Sequence, residues 1–526
     1  MKSGENMART EKSIINFIWA IIGQALGIGI SFISRIFFIR ILGSEYLGLN
    51  GLFTNILSVL SLAELGIGPA ITYSLYKPIA DNDTRQLKML MQLYKKIYII
   101  IGIVILSLGI SLTPFLDLFI KEIPDITNLN LIYILFVLNT AISYFYSYRT
   151  NLIIANQKSY ITTIYHYISL TILNIVQIIY LIITKNYIGY LILQIIATVI
   201  ENILISKKAI KMYPYLKSKE KVPLDSSTKK SIIKNTKAMM MHKVGGVVVN
   251  STDNILISTI IGLKEVGLYS NYYLIKTAVN KIIYQIYTSI TASVGNLCAS
   301  TGKNKQYEVF KSINLLTFWI YSFTSICLLN LFNPFIEIWL GKEYLFSKEI
   351  VFILVINYYI SGMRKSVLTF REATGLFEKD KYKALIESLI NIVASIILAK
   401  KLGIFGIFLG TFISSVTTCA WVEPYILYKY GFNKKFSQYL NDYFKQVILT
   451  VIMASLTYLL CSIIKINLYL NLIIYGIISL IIPNVILYFI FSNTSEFKYL
   501  YDKVLIKVTN KIKKLLRLKQ KKVLYD

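Results

Sequence analysis

Long apolar stretches alternate with short polar, mostly basic segments along the chain. About 20 mostly apolar helical residues cross a hydrocarbon core roughly 30 Å thick. Fourteen runs meet that length, near 13–39, 46–76, 94–116, 129–150, 160–184, 187–206, 238–261, 266–298, 312–334, 349–370, 382–400, 404–428, 444–464 and 468–492. They are continuous rather than ten-residue alternations, which favours helices over a barrel. The frequent Ile would favour strands in water, but lipid obliges each segment to satisfy its own backbone. The first run follows Met1, Lys2, Arg9 and Lys12. It is longer than the apolar part of a signal peptide and lacks a small-residue cleavage site, so it reads as a retained first helix.

Composition narrows the class. Of 526 residues, 55% are hydrophobic and only 16% charged, against about 25% charged in a soluble domain. A soluble globular fold, a disordered chain, a collagen and a disulfide scaffold are all excluded. The net charge of +29 would suggest nucleic acid in a soluble protein. Here the basic residues lie between spans, which fits loops held against an anionic membrane face and gives no nucleic-acid partner.

Lys and Arg asymmetry sets the orientation. With the N-terminus in the cytoplasm, the outer segments hold only Arg40, Lys121, Lys185, Lys264, Lys342, Lys348, Lys400, Lys401 and Lys465 out of 56 Lys and Arg. Four more lie at membrane depth or a span edge, and the rest are inside. Both termini are therefore expected in the cytoplasm. The longest inner linker carries ten lysines between Lys207 and Lys237, and the tail is similarly basic around Lys511-Ile-Lys-Lys-Leu-Leu-Arg517. Both suit anionic lipid headgroups; a specific protein or nucleic-acid dock is the alternative.

The linker divides the spans six and eight, and the two parts share a signature. Leu42-Gly43-Ser44-Glu45-Tyr46-Leu47-Gly48-Leu49 matches Ile261-Gly262-Leu263-Lys264-Glu265-Val266-Gly267-Leu268. Each copy is expected to turn the chain between the first and second helix of its half. A weaker echo, Lys158-Ser159-Tyr160 against Asp380-Lys381-Tyr382, precedes the fifth helix of each half. Six helices per repeat put both copies on the same side, a parallel repeat of the kind that often encloses a substrate cavity. The expected fold is all-α and integral to the membrane: fourteen helices, two six-helix lobes in parallel pseudo-repeat and two extra C-terminal helices. The lobes would be residues 1–206 and 238–430. A basic cytoplasmic linker at 207–237, helices thirteen and fourteen at 431–494 and a basic cytoplasmic tail at 495–526 complete the chain.

Polar residues at membrane depth are expensive and usually face a bundle interior or a watery cavity. The first helix carries Gln24, Ser31 and Arg35 on one face. The second carries Asn50, Thr54, Ser58 and Ser61, with Glu64 beyond. The seventh carries Asn250 and Asp253. The eighth carries Tyr273, Lys276, Asn280, Tyr284, Tyr287 and Thr291 at helical spacing, with Lys281 beside them, and the tenth carries Asn357, Ser361, Arg364 and Arg371. Stripes on both halves would line a hydrated, net positive cleft. Arg35, Lys276 and Lys281 then attract phosphate, Arg through its planar donor fork and Lys as a point charge. Tyr273, Asn280 and Tyr284 contact sugars, and Arg149 and Arg364 complete the candidate substrate set. The competing reading pairs Arg35 with Glu64 and Lys276 with Asp253, and leaves Arg149, Arg364 and Arg371 as inner helix ends. Asp253 and Glu64 are also candidates for coupling to Na⁺ or H⁺; no other cofactor is expected.

Chemistry of other kinds is missing. Cys298, Cys327, Cys419 and Cys461 are far apart, without metal or redox spacing. His166 and His242 stand alone. Gly23, Gly27 and Gly29 lie inside a helix with no preceding strand, so they serve helix packing rather than phosphate binding, and Gly406 and Gly410 read the same way. Outer loops are too short to hold an acceptor and catalytic carboxylates, so an enzyme is not expected.

The paired glycine motif, the phrase Ser251-Thr-Asp253-Asn254-Ile-Leu-Ile-Ser258 followed by Val266-Gly267-Leu268-Tyr269-Ser270, and the fourteen-span layout resemble polysaccharide transporters. These are lipid-linked oligosaccharide flippases of the multidrug/oligosaccharidyl-lipid/polysaccharide exporter superfamily, and the O-antigen and capsule repeat-unit flippases are the nearest type. The resemblance covers about residues 10–490 and implies two lobes about a central cationic cavity, alternating access and a bacterial cytoplasmic membrane. It implies an undecaprenyl-pyrophosphate-linked oligosaccharide as substrate, with a polysaccharide polymerase and glycosyltransferases as pathway partners. Similar lipid II flippases use the last two helices to shape a groove for the lipid tail. The alternatives are a cation-coupled small-molecule exporter of the same superfamily, a membrane polysaccharide polymerase and a non-transporting scaffold.

Overall fold

One glycine separates the first two helices of each repeat. α1 (Lys2–Leu42) ends at Gly43, and α2 (Ser44–Leu60) begins on the next residue. The helical segment 251–261 ends at Gly262, and α8 (Leu263–Ser300) follows directly. Gly43 has φ 89° and Gly262 φ 154°, in a region that L side chains rarely adopt. The expected turns therefore form at the expected residues, and glycine is what lets one helix restart at once. The computed structural model describes residues 2–64, 67–122, 126–218, 251–376, 379 and 382–502. The linker beyond residue 218 and the tail beyond 502, with their lysines, lie outside the described residues, as does His242.

Two units are compact: residues 1–271 with 399–407, and residues 272–398 with 408–526. In the first unit the second expected span is interrupted. α2 stops at Leu60, a short 3₁₀ turn runs from Ser61 to Glu64, and α3 starts at Ile67 and ends at Ala80. α4 (Thr84–Leu112), α5 (Leu129–Ala155), α6 (Ser159–Thr184) and α7 (Tyr187–Met212) follow. Asp83 caps α4 by accepting from the Gln86 amide, and Asn186 caps α7 by accepting from that of Gly189; such caps satisfy amides that have no partner inside the helix. Asn16 joins α1 to the α5–α6 turn: its amide donates to the Gln157 carbonyl and its carbonyl accepts from the Tyr160 amide. Gly23 and Gly27 lie against the ring of Tyr167, where an added Cβ would fall 2.1 and 2.6 Å from ring carbons. Their role is helix packing, as the sequence indicated.

The repeated motif does more than turn the chain. A Cβ on Gly48 would sit 2.0 Å from the Leu263 carbonyl oxygen, and one on Gly267 would sit 2.2 Å from that of Ser44. Ser44 and Leu263 hold equivalent positions in the two copies, as do Gly48 and Gly267. Each copy thus presses its glycine on the other's backbone, the reciprocal pattern of a two-fold contact. Two bonds bring the same segment to the end of the 3₁₀ turn Thr113–Phe119: the Ser258 hydroxyl donates to the Phe119 carbonyl at 2.7 Å, and the Lys121 amide donates to the Ser258 carbonyl at 3.1 Å.

The second unit is built on α9 (Lys303–Trp339), which packs against α10 (Lys348–Ala373), α12 (Phe436–Ile463) and α13 (Leu468–Phe491). Buried polar bonds fasten the last two: Asn330 donates to the hydroxyls of Thr457 and Ser479 at 3.2 and 3.0 Å. α11 (Lys383–Ser414) changes direction at Gly403, with φ 59°, and its helical course continues to Phe432 through π-helical turns at Ser415–Cys419 and Leu427–Phe432. Inside it, Gly410 packs on Ser395. A short helix, α14 (Ser495–Leu500), lies against α9.

The fold is all-α and multi-pass. Among the described residues ten helices are long and apolar enough to cross a membrane. Four features separate this number from the expected fourteen. α2 is cut to 17 residues by the 3₁₀ turn. Most of the seventh run lies outside the described residues. α8 carries Lys276 and Lys281 and is not among the ten. The eleventh and twelfth runs form one unbroken helical course, Lys383–Phe432.

Candidate functional site

In the first unit, five helices and the break in the second span line an open polar cavity of 690 Å³. Gln24 of α1, Glu64 of the 3₁₀ turn and Tyr98 of α4 contribute, with Ser147, Thr150 and Asn151 of α5, Thr163, His166 and Tyr167 of α6, and Thr198, Glu201 and Asn202 of α7. Among the described residues the wall holds two carboxylates and no Lys or Arg. Internal bonds orient it. The Tyr98 hydroxyl donates to Glu64 Oε1 at 3.3 Å and accepts from Asn151 Nδ2 at 2.9 Å. His166 Nδ1 lies 3.1 Å from Glu201 Oε1, and the Thr198 hydroxyl donates to Asn139 Oδ1 at 2.8 Å. Hydroxyls, amides and carboxylates in such number can exchange hydrogen bonds with a polar ligand.

Arg35 lies on the same helix as Gln24 but serves another place. Its Nη1 donates to Ser270 Oγ at 2.8 Å and to Asn271 Oδ1 at 3.2 Å. Tyr187 and Tyr190 lie near, packed on Phe38. Among the described residues Arg35 has no carboxylate partner within ion-pair distance; Glu64 takes Tyr98 instead. Two buried polar atoms in the neighbouring segment, Asn271 Nδ2 and Asn254 Oδ1, have no hydrogen-bond partner. Asp253 is half-buried in that segment. Arg149 stands one residue from the cavity wall with its guanidinium 5.2 Å from the Tyr148 ring centre.

The remaining sequence candidates lie in the second unit. Lys276 sits 4.9 Å from the centre of the Tyr273 ring, a cation–π contact. Tyr273, Lys281 and Tyr284 are exposed and Asn280 is half-buried. Tyr287, one step along the stripe, instead turns into the core and donates to Thr317 at 2.6 Å. Arg364 belongs to a buried ion cluster. Its Nε and Nη2 donate to the two oxygens of Glu423 at 2.9 and 2.8 Å, and its Nη1 lies 3.6 Å from Glu387. Lys383 also bonds Glu423 and lies 3.5 Å from Glu387, while Arg371 reaches Glu423 at 3.5 Å. Glu423 is fully buried between the two π-helical turns. Such a cluster fixes helix packing with every charge engaged, a role unlike that of an open phosphate fork.

The structure thus gathers Gln24 and Glu64 in one cavity, places Arg35 on Ser270 and Asn271, and anchors Arg364 on Glu423. His166, which the sequence left standing alone, pairs with Glu201; sequence reading missed Glu201, as well as the cluster's Glu387, Glu423 and Lys383. A signal for the cavity was present: Ser143, Ser147, Thr150 and Asn151 on α5 and Gln194, Thr198, Glu201 and Asn202 on α7 repeat the spacing 4, 3, 1 inside apolar runs. Among the described residues no cluster of three or more His, Cys, Asp or Glu could hold a metal.

Solved structures share this fold. A lipid II flippase, MurJ, in an inward closed conformation aligns with TM-score 0.63 at 17% identity, over 90% of this chain and 99% of that one. An inward-facing multidrug resistance MATE transporter aligns with TM-score 0.59 at 14% identity, over 78% and 96%. A Vibrio cholerae MATE transporter aligns with TM-score 0.55 at 14% identity, over 82% and 98%. No curated protein matches in sequence. The family model described as polysaccharide biosynthesis protein matches residues 13–291. That is more than half of the chain, which therefore belongs to the polysaccharide biosynthesis protein family.

Proposed function

We propose that the chain is a flippase for polyprenyl-pyrophosphate-linked oligosaccharides. It would move repeat units from the inner to the outer leaflet of a bacterial cytoplasmic membrane by alternating access, for capsule or O-antigen assembly. The observation that carries this reading is a head-sized polar cavity inside a membrane-spanning bundle of a polysaccharide-biosynthesis family member. A glycan pyrophosphate cannot cross hydrocarbon unaided, because its polar groups would lose water without replacement. A protein path replaces that water with hydroxyls, amides and charges while the isoprenoid tail stays in lipid.

Arg35 is the proposed phosphate contact. Its two partners are neutral, so its charge remains available to an anion, and a guanidinium matches phosphate oxygens two at a time. Lys276 and Lys281 on α8, with Tyr273, Asn280 and Tyr284, are the proposed contacts of the second repeat, and Arg149 belongs to the inner approach; Arg364, engaged by Glu423 and Glu387, is left to the ion cluster. Glu64 and Asp253 are the proposed coupling acids for Na⁺ or H⁺. Basic segments would hold anionic lipids, and glycosyltransferases and a polymerase would supply and consume the substrate. In proteoliposomes, Arg35→Gln should retain its folded yield and lose at least tenfold in transport of a lipid-linked oligosaccharide. Wild-type transport by this variant would remove the phosphate assignment.

A second reading has one observation in its favour. Two carboxylates without a balancing Lys or Arg among the described residues of the cavity wall would suit an organic cation, as in a cation-coupled exporter. Expression in a drug-sensitive host separates the two: raised tolerance to cationic dyes supports the exporter.

A further inference from the structure

We propose that the cavity of the first unit is a glycan subsite, separate from the place where the phosphates bind. The proposal rests on the flippase reading and adds which part of the substrate this cavity takes. Volume is the first argument. The 690 Å³ is many times the roughly 30 Å³ share of one water, far more than an inorganic cation needs, and it falls within the usual 300–1,000 Å³ of organic ligand pockets.

Charge is the second. Among the described residues Glu64 and Glu201 line the space and no Lys or Arg does. A pyrophosphate placed there would meet two carboxylates at low dielectric, which is repulsive, with no Lys or Arg of the described wall to offset them. The phosphates must therefore sit elsewhere, and Arg35 in the same unit faces Ser270 and Asn271 instead.

The donor and acceptor set is the third. A sugar ring presents hydroxyls that each donate and accept, and the wall answers with both. Ser147, Thr150, Thr163 and Thr198 supply hydroxyls, and Asn151 and Asn202 supply amides. Carboxylates are acceptor-only and strong, suited to paired sugar hydroxyls. Glu201 is held by His166 at 3.1 Å and Glu64 by Tyr98 at 3.3 Å, so both are oriented before a ligand arrives. Tyr167 also lines the wall, with its ring packed on Gly23 and Gly27. An organic cation would use the carboxylates and leave most of the hydroxyls and amides without work, so the glycan accounts for more of the wall.

The test reads occupancy directly. The full chain carrying Thr198→Cys, and separately Ser147→Cys, is reconstituted in proteoliposomes. Maleimide alkylation at the new thiol is followed by mass spectrometry, with the four native cysteines resolved as separate peptides. Two probes are compared: the polyprenyl-pyrophosphate oligosaccharides extracted from the producing cells, and bare undecaprenyl pyrophosphate. The glycosylated pool should slow alkylation at least fivefold, and the bare lipid should not. Adding Glu201→Gln, or Thr163→Ala should that variant fail to fold, should abolish the protection. Equal protection by both lipids, or by neither, overturns the subsite. Protection by ethidium in place of the glycosylated pool overturns it in favour of an organic-cation site. Transport is measured on the same vesicles: protection without flipping refutes the flippase reading and keeps the subsite, whereas flipping without protection does the reverse.

Discussion

Two arginines at membrane depth, similar in the sequence, carry opposite consequences in the fold. Arg364 gives both faces of its fork to Glu423, which is fully buried and also takes Lys383. Among the described residues Arg35 meets a hydroxyl and an amide oxygen. Glu423→Gln would remove the carboxylate that Arg364, Arg371 and Lys383 share. Breaking a buried pair from one side costs about 3–5 kcal/mol, so this variant should melt well below wild type in detergent and yield less folded protein. Arg35→Gln removes one charge with neutral partners and should shift the melting midpoint far less. Equal shifts in the two variants would show that the cluster carries no special stability. Helical spacing placed both arginines on polar faces, and to that extent the candidates were legible. Their partners were not: Glu423 lies 59 residues from Arg364, and no local pattern reports so distant a meeting. Serines and threonines added noise to the stripes. Thr54, Ser58 and Ser61 on the second span bond within their own helical segment, as such hydroxyls commonly do in helices.

At the scale of elements the glycine motif was legible as two turns but not as one joint. Alternation of apolar and polar residues fixes where helices stop; that Gly48 touches the Leu263 carbonyl and Gly267 that of Ser44 is a property of the folded pair. The joint makes a graded prediction. Gly48→Ala and Gly267→Ala each set a Cβ against backbone at 2.0 and 2.2 Å, an overpacking that typically costs about 1–3 kcal/mol. Gly29→Ala, in α1 with nothing within 4 Å, should instead be neutral or stabilising by up to about 1 kcal/mol, because Ala is the better helix former. Thermal midpoints of the three variants should fall into those two groups; a Gly48→Ala protein as stable as Gly29→Ala would mean the joint is not held. A second element gives a pH-dependent test. Glu496 at the start of α14 accepts from Lys311 of α9 at 2.8 Å. Burial pushes its carboxyl up, but the Lys311 hydrogen bond and charge outweigh it and hold the group below its ordinary 4.5. A depressed carboxylate contributes stability above its unfolded value and loses it as pH falls through the folded one. Amide exchange in 495–500, corrected for its intrinsic rate, should therefore be slow at pH 7 and rise below about pH 4.5. In Glu496→Gln it should be raised throughout and insensitive to pH.

For the molecule as a whole, the division between lipid and water explains both what the sequence revealed and what it hid. α6 presents Ile168, Ile172, Ile175, Ile179 and Ile183 as exposed apolar residues along one face, while Thr163 and His166 of the same helix line the cavity. The apolar face announces a spanning helix from composition alone. The cavity depends on how five helices and a broken sixth meet, and its carboxylates, Glu64 and Glu201, lie 137 positions apart in the sequence. Glu64 stands where the second span breaks, between α2 and α3, and the break gives its carboxylate a place in water that an unbroken apolar helix would deny it. That position makes Glu64 the sharper of the two proposed coupling acids, since a group that links an ion gradient to movement must be reached by the ion and joined to an element that can change. It is bonded by a hydroxyl able to donate or accept: the Tyr98 hydroxyl donates to the carboxylate, and it can accept from the neutral acid by turning its own proton away. Glu64→Gln keeps the size and the hydrogen bonding and removes the charge. Proteoliposomes with an imposed H⁺ or Na⁺ gradient should drive wild-type transport several-fold above the ungraded rate, and the variant should transport at one rate whatever the gradient. A variant that still follows the gradient excludes Glu64 as the coupling group and leaves Asp253 to be tested in the same way.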